Sequence, residues 1–253
     1  LVTGYRWFDP DGLFRRKNVY VAYSRTSDFE DNISRAGMFL SAGAEFENYW
    51  GFNFNTNYNF ESVSTTLTRG GPKLNMPENF SFNLNAYSDS REKITLSPFV
   101  SYWENDIGSN EKYFGFEIEW KPNSQISFSV GPEYGTNYTS FQWVGNFKDN
   151  FASNTYNYRY VFADLNQETI SANIRLNWIF TPTLSLQLYL QPLFSVGNYE
   201  NFKEINNPPT LEVNTYGNQG STIDYDADEM IYSVDPDAEG PAEQFSFYNP
   251  DFN

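Results

Sequence analysis

The sequence predicts an all-β protein, and more narrowly part of an antiparallel transmembrane β-barrel. Three observations carry this prediction. Apolar and polar residues alternate with a period of two in segment after segment. The polar positions are mostly Asn, Ser, Gln and Gly, while the apolar positions turn aromatic near the segment ends. Aromatic residues are 19% of the chain (24 Phe, 19 Tyr, 6 Trp), yet the mean hydropathy is −0.60. A spanning barrel joins these features, because one strand face meets lipid and the other meets water.

The elements follow in chain order. Residues 18–25 alternate weakly. Met38, Leu40, Ala42, Ala44 and Phe46 share a face opposite Ser41, Gly43, Glu45 and Glu47. Phe52, Phe54, Tyr58 and Phe60 alternate with Asn53, Asn55, Asn57 and Asn59, and Phe80, Phe82, Leu84 and Ala86 with Ser81, Asn83 and Asn85. A weaker segment, 93–104, precedes Phe114, Phe116, Ile118 and Trp120, which oppose Gly115, Glu117 and Glu119. Ile126, Phe128 and Val130 oppose Ser127, Ser129 and Gly131, and 138–147 and 157–166 are further candidates. Ala172, Ile174, Leu176, Trp178 and Phe180, then Thr181-Pro182-Thr183, then Leu184, Leu186, Leu188 and Leu190 read as a hairpin. About eleven strands result, most near the roughly 9–11 residues that a tilted strand needs to cross a bilayer.

Connections near 48–49, 88–92, 121–124 and 181–183 are short, whereas 26–36, 61–78 and the segment after 196 are long. Outer-membrane barrels have short turns at one end and long loops at the other. Two connections break the rule: 135–137 is short where a long loop is expected, and 148–156 is long where a turn is expected. The expected organisation is strands and loops over 1–197, then a long acidic loop over 198–253 leading toward closing strands. An odd strand number and the loop-like ending Asn249-Pro250-Asp251-Phe252-Asn253 place those closing strands elsewhere.

Composition narrows the chemistry. The chain has 253 residues, no Cys and no His, which excludes thiol and imidazole nucleophile systems, Cys/His zinc sites and disulfides. Acidic residues number 32 against 16 basic, for a net charge of −16, so nucleic acid is not an expected partner. No run of about 18 apolar residues offers a spanning helix. The opening Leu1-Val2-Thr3-Gly4 lacks the basic start and apolar core of a signal peptide, so a leader has been removed or the chain is an internal piece.

Four sets of residues are candidates for function. Arg69, Gly70, Gly71 and Pro72 fix a tight path in a long loop, where Arg69 could pair with Glu45 or Glu117. No Lys-Ser/Thr pair follows, so a phosphate-cradling loop is not expected there. Asp224, Asp226 and Asp228 alternate as Ca²⁺ ligands could, but the EF-hand pattern is not met; a solvated acidic loop is the plainer reading and no other cofactor is expected. Glu45, Asn53, Asn55, Asn57, Glu117, Glu119, Arg175 and Gln187 should face a lumen. Carboxylates could support glycoside hydrolysis, but nothing in their spacing sets a catalytic pair, so no enzyme is expected. Trp7, Trp50, Trp103 and Trp143 are expected as interfacial girdle residues rather than sugar-stacking platforms.

Three stretches carry a resemblance: Leu67 to Pro72, the run from Arg159 through Asn177 to Pro192, and Asn249 to Asn253. They resemble the C-terminal barrel region of a bacterial outer-membrane family whose members couple an N-terminal carbohydrate-binding family 9-like domain to a barrel named as a domain of unknown function. The resemblance covers most of 37–253. It implies further strands after Asn253 and supplies no catalytic residues.

The expected function is therefore to span the outer membrane of a Gram-negative bacterium as a portion of a larger envelope protein, anchoring another domain or passing polar solutes such as glycan fragments. Its partners would be outer-membrane lipid and whatever closes the barrel, the rest of the same protein or another chain. The alternatives are a soluble secreted β-sandwich that binds carbohydrate, and a subunit of a multi-protein outer-membrane complex with the acidic tail as docking segment.

Overall fold

The computed structural model describes residues 1–218 and 220–253. The alternating segments become strands: β1 Val2–Trp7, β2 Phe14–Ser27, β3 Ile33–Phe46, β4 Gly51–Asn59, β5 Ser62–Ser64, β6 Leu74–Met76, β7 Asn79–Tyr87, β8 Ile94–Asn105, β9 Asn110–Asn123, β10 Ile126–Lys148, β11 Tyr158–Thr181, β12 Leu184–Leu190, β13 Leu193–Ile205, β14 Val213–Thr215, β15 Thr222–Asp226, β16 Ile231–Asp235 and β17 Phe245–Tyr248. The 3₁₀ turn Ser153–Thr155 is the single helical element among the described residues.

Twelve strands form one antiparallel sheet, ordered β1-β2-β3-β4-β7-β8-β9-β10-β11-β13-β14, with β12 also pairing β11. Two short sheets, β15-β16-β17 and β5-β6, stand apart from it. β1, where the sequence shows no sustained alternation, pairs β2 from Val2↔Ala22 to Trp7↔Lys17. Alternation alone also splits two long strands. Gly135, read as a connection, lies inside β10, opposite Thr169 on one side and Tyr113 on the other. The Tyr113 ring lies over it, so that an added Cβ would be 2.1 Å from ring carbon. A glycine that receives a cross-strand ring looks like a turn residue in one dimension and a packing site in three.

Joining these halves removes both exceptions to the loop rule. The connections 8–13, 47–50, 88–93, 124–125 and 182–183 all lie at one end of the sheet, and 28–32, 60–78, 106–109 and 149–157 at the other. The long ones now share one end. β12 and β13 occupy a single lane beside β11, broken at Gln191-Pro192, where proline has no N–H for the ladder. The sheet is open: among the described residues β1 does not pair with β12, β13 or β14. The chain's last residues return to the β13 edge, where Gly197 and Phe252 exchange backbone hydrogen bonds of 2.9 and 3.0 Å.

Register sorts the side chains into two faces. One row of pairing partners runs Tyr5, Val19, Ala42, Phe54, Leu84, Val100, Phe114, Tyr134, Ile170, Phe194, from β1 to β13 without a polar break. One residue along, the row is Gly4, Tyr20, Ser41, Asn55, Asn83, Ser101, Tyr113, Gly135, Thr169, Ser195. The period-two geometry of strands turns an alternating sequence into an apolar and a polar face.

The buried core lies elsewhere. β10 and β11 continue past the end of β9, which stops pairing at Asn110↔Tyr138. On this projecting hairpin Val161 and Ala163 pack with Phe202, Tyr216 and Val234, backed by β16 and β17 through Tyr232, Phe245 and Phe247. Tyr160 and Phe162 pack with Leu74 and Ile205, backed by Leu67 and Trp143. The acidic segment expected as one loop over 198–253 is thus corrected: its first residues complete β13, and its aromatics fold a small sheet onto the hairpin. Bulges between Thr139 and Gln142 and between Trp143 and Gly145 set the hairpin apart from the flat lattice below.

Ion pairs hold this cap. Arg159 binds Asp149 at 2.6 Å and Glu204 at 2.6 Å, all three largely buried. Lys203 binds Asp164 at 2.5 Å, both buried. Removing one partner of a buried pair leaves a desolvated charge behind. Arg159→Ala should therefore destabilise the cap by about 3–5 kcal/mol, whereas Lys73→Ala, at the exposed pair with Glu30, should leave exchange in the cap unaltered. Hydrogen exchange resolved by peptide over 149–160 and 199–216 checks both.

Candidate functional site

The apolar face leaves many large hydrophobic side chains exposed. Leu184, Leu186, Leu188 and Leu190 are 59%, 44%, 43% and 49% exposed. Phe114, Trp120, Ile170, Trp178 and Phe194 are exposed on the same face. Among the described residues no second layer covers it: both buried clusters sit on the projecting hairpin. Along β11 the apolar stretch runs from Ile170 to Trp178, and a tilted strand of about nine residues covers roughly 23 Å.

Its two ends differ. At the short-turn end stand Trp7, Trp120, Trp178 and Phe180, with Trp178 and Phe180 rings 4.6 Å apart. At the long-loop end stand tyrosines, whose hydroxyls reach polar partners: Tyr58 donates to Glu78, and Tyr102 to Glu104 at 2.7 Å. Two of the expected girdle tryptophans are not on this face. Trp103 pairs with Ser81 on the polar face and donates to Asn79 at 3.3 Å. Trp143 lies in the cap, donating to Asn146 at 2.9 Å. Trp103 is odd-numbered in a strand whose apolar positions are even, and Trp143 lies beyond a bulge that resets the alternation.

The eight residues expected to face a lumen do share the polar face. Asn53, Asn55 and Asn57 pair across to Asn85, Asn83 and Ser81. Glu119, Ser129, Arg175 and Tyr189 form one row, with the Arg175 guanidinium 5.2 Å from the Tyr189 ring. Gln187 pairs with Asn177 in the next row, and Glu117 with Ser97. Glu45 is buried and bound by Arg15 at 2.8 Å and Arg16 at 2.5 Å. Arg15 further stacks on Tyr49 at 3.8 Å, and Arg91 lies over the same ring at 3.3 Å. The Arg91 guanidinium, by hydrogen bonding to Asp89, holds that carboxyl down at about 2. This arginine cluster was not anticipated; the adjacent Arg15-Arg16 in a chain of charge −16 was the available signal.

The 60–78 loop is anchored differently from the sequence reading. Arg69 pairs with neither Glu45 nor Glu117; its guanidinium stacks on Trp143 at 3.8 Å. Arg69 and Gly70 take positive φ, 52° and 102°, and Gly71 fits beneath the Tyr160 ring. Pro72 follows, its carbonyl accepting from the fully buried Thr68 hydroxyl at 2.9 Å, and Asn146 donates to the Thr68 carbonyl at 3.1 Å. The tethers lie on the projecting strands, out of reach of any sequence pattern.

Asp224, Asp226 and Asp228 do not come together as Ca²⁺ ligands. Asp226 Oδ1 accepts the backbone N–H of Asp228 at 2.9 Å and of Glu229 at 3.1 Å, closing the β15–β16 turn. Among the described residues no group of three or more acidic side chains could hold a metal ion.

The geometry defines a class: an open, all-β, antiparallel sheet with one apolar and one polar face, and a packed cap at one end. The chain matches the family described as domain of unknown function (DUF5916) over residues 1–235, and it belongs to that family. No curated protein and no solved structure matches it.

Two predictions concern the cap. Burial pushes the Asp149 carboxyl up, but the Phe151 amide and the Arg159 guanidinium outweigh this and hold it below its usual 3.8. At Asp235 burial is likewise outweighed, by Gln244 and the amides of Asp237 and Ala238. A depressed folded-state value contributes stability that is fully present above the unfolded value and is lost as pH falls through the folded one. Amide exchange over 222–248, corrected for intrinsic rate, should stay constant from about pH 6 to pH 4 and accelerate below. Thr68→Val leaves the Pro72 carbonyl without its donor, at a cost of about 1–3 kcal/mol, and should speed proteolysis within 60–78.

Proposed function

We propose that this chain is the greater part of an outer-membrane β-barrel of a Gram-negative bacterium, with the apolar face against lipid and the capped hairpin outside the bilayer. The observation that carries the reading is the unbroken apolar row from Tyr5 to Phe194, exposed or half-buried and under no second layer among the described residues. A sheet in water would hide such a face under a second layer. Its height, close to the roughly 25 Å apolar band of membrane barrels, and the tryptophan and tyrosine ends support the same assignment. Closing strands, from the remainder of the same protein or from another chain, would satisfy the β1 and β12–β13 edges, since open edges are not tolerated in lipid.

In this reading the polar face lines a lumen whose Asn, Ser and Gln suit polar, uncharged solutes, glycan fragments among them, and the barrel passes such solutes or anchors a partner domain. The small sheet of 222–248 is occupied in packing on the hairpin, which disfavours its use as a free docking tail.

Expression of the chain, within any longer polypeptide that carries it, in a Gram-negative host tests the proposal. Recovery in the outer membrane, with gel mobility that shifts on boiling, is the expected result; a detergent-free soluble product would defeat it. Ile118→Arg, on the apolar face, should cost about 2–4 kcal/mol in a lipid or detergent refolding titration, and Ser101→Arg, on the polar face, far less. Equal costs would count against a lipid-facing row.

A further inference from the structure

We propose that the polar face of β1–β4 carries a binding site for a small phosphate-bearing ligand, centred on Arg6 and Arg16. The chain's net charge is −16, yet arginines converge here around a cavity of about 220 Å³ lined by Arg6, Arg16, Asn18, Glu45, Asn53 and Tyr87. Four features build it.

A bulge in β2 comes first. The β2–β3 register shifts between Phe14 and Arg16, so that the consecutive residues Arg15 and Arg16 both reach Glu45. In a regular strand they would point to opposite faces, and re-aiming a side chain is a recurrent use of bulges. Two guanidiniums share one carboxylate, leaving an excess of positive charge beside the cavity. Lys17 also borders the cavity, but its ammonium is held by Asp11 at 2.6 Å and lies near the Trp7 ring.

Arg6 is the second feature. Among the described residues it has no carboxylate partner, and its guanidinium is flanked by the rings of Phe8 at 5.7 Å and Tyr20 at 6.0 Å. Those rings flank the side chain without consuming its five donors.

The floor is the third. Arg6, Asn18, Gly43, Asn53 and Asn85 form one row of register partners. A Cβ on Gly43 would stand 3.0 Å from both Asn18 Oδ1 and Asn53 Oδ1, so glycine leaves a gap bordered by two amides. Tyr87 is the fourth. Its ring is packed over Gly51, where an added Cβ would lie 2.4 Å from the hydroxyl oxygen, so the phenol is held at the cavity wall.

The Arg6 guanidinium, the Arg16 donors that Glu45 leaves over and the Tyr87 phenol suit an oxyanion with several acceptor oxygens, and phosphate takes an arginine fork in bidentate fashion. The volume is below that of sites for drug-sized ligands and leaves room for only a small organic group beside the phosphate. The four strands and the Tyr87 wall form the site by themselves, so it stands or falls separately from closure of the sheet.

Calorimetric titration of the full chain with inorganic phosphate, and with glycerol phosphate, tests the proposal at constant ionic strength, in whichever detergent or buffer the chain is recovered. Saturable binding of one phosphate per chain is expected, with Arg6→Gln weakening it about tenfold or more. Arg6 lies on an exposed edge strand, so circular dichroism of that variant should be unchanged. Asn53→Ala should weaken binding by a smaller factor, and Lys112→Gln, on a distant strand, should leave it unaltered. Chloride replacing phosphate with equal effect, non-saturable heats, or an Arg6→Gln variant that binds as the parent does would each overturn the assignment.

Discussion

Everything in this molecule follows from a twelve-stranded antiparallel sheet whose apolar side is left uncovered by its own chain. Backbone hydrogen bonds within the sheet are satisfied from β2 to β11, and the period-two geometry fixes which side chains go where. Packing then differs sharply between two regions. In the sheet proper, the apolar row meets no protein layer; on the projecting β10–β11 hairpin, both faces are covered and side chains such as Val161 and Phe162 are fully buried. Conventional core and solvent-type surface therefore occupy different ends of one continuous pair of strands.

Electrostatics follow the same division. The apolar face carries its charges at the rims, as at Lys17, Glu104 and Lys112, where the rows end. The polar face pairs some of its charges, Glu45 with Arg15 and Arg16 and Glu119 with Lys121 at 2.6 Å, while Arg6 stands without a carboxylate partner among the described residues. The cap uses buried pairs, Arg159 with Asp149 and Glu204, which position the strands rather than add much net stability, because desolvation offsets the attraction. The chain's large negative charge thus resides mainly in loops and the tail, while arginines gather at the short-turn end around Tyr49 and Glu45.

Much of the sheet was legible from alternation alone. Segments such as Phe52 to Phe60 and Leu184 to Leu190 carry a strict period of two, and their faces emerged as read. Reading failed where a residue's role depends on a neighbour across the sheet. Gly135 looks like a turn until Tyr113 is placed over it. Trp143 looks like an interfacial residue until the bulge before it is known. Asp226 looks like a ligand until its turn claims the carboxylate.

The sequence by itself determined the all-β class, the two faces and the absence of thiol and imidazole chemistry, because these depend on composition and on a local period that every strand shares. Tertiary structure decided strand lengths, the grouping of long loops at one end, the anchoring of Arg69 on Trp143, and the convergence of Arg6, Arg16 and Glu45. Those outcomes depend on register, bulges and contacts between residues far apart in the chain. A bulge of one residue reverses every later side chain on its strand, and only the assembled sheet shows where that reversal falls.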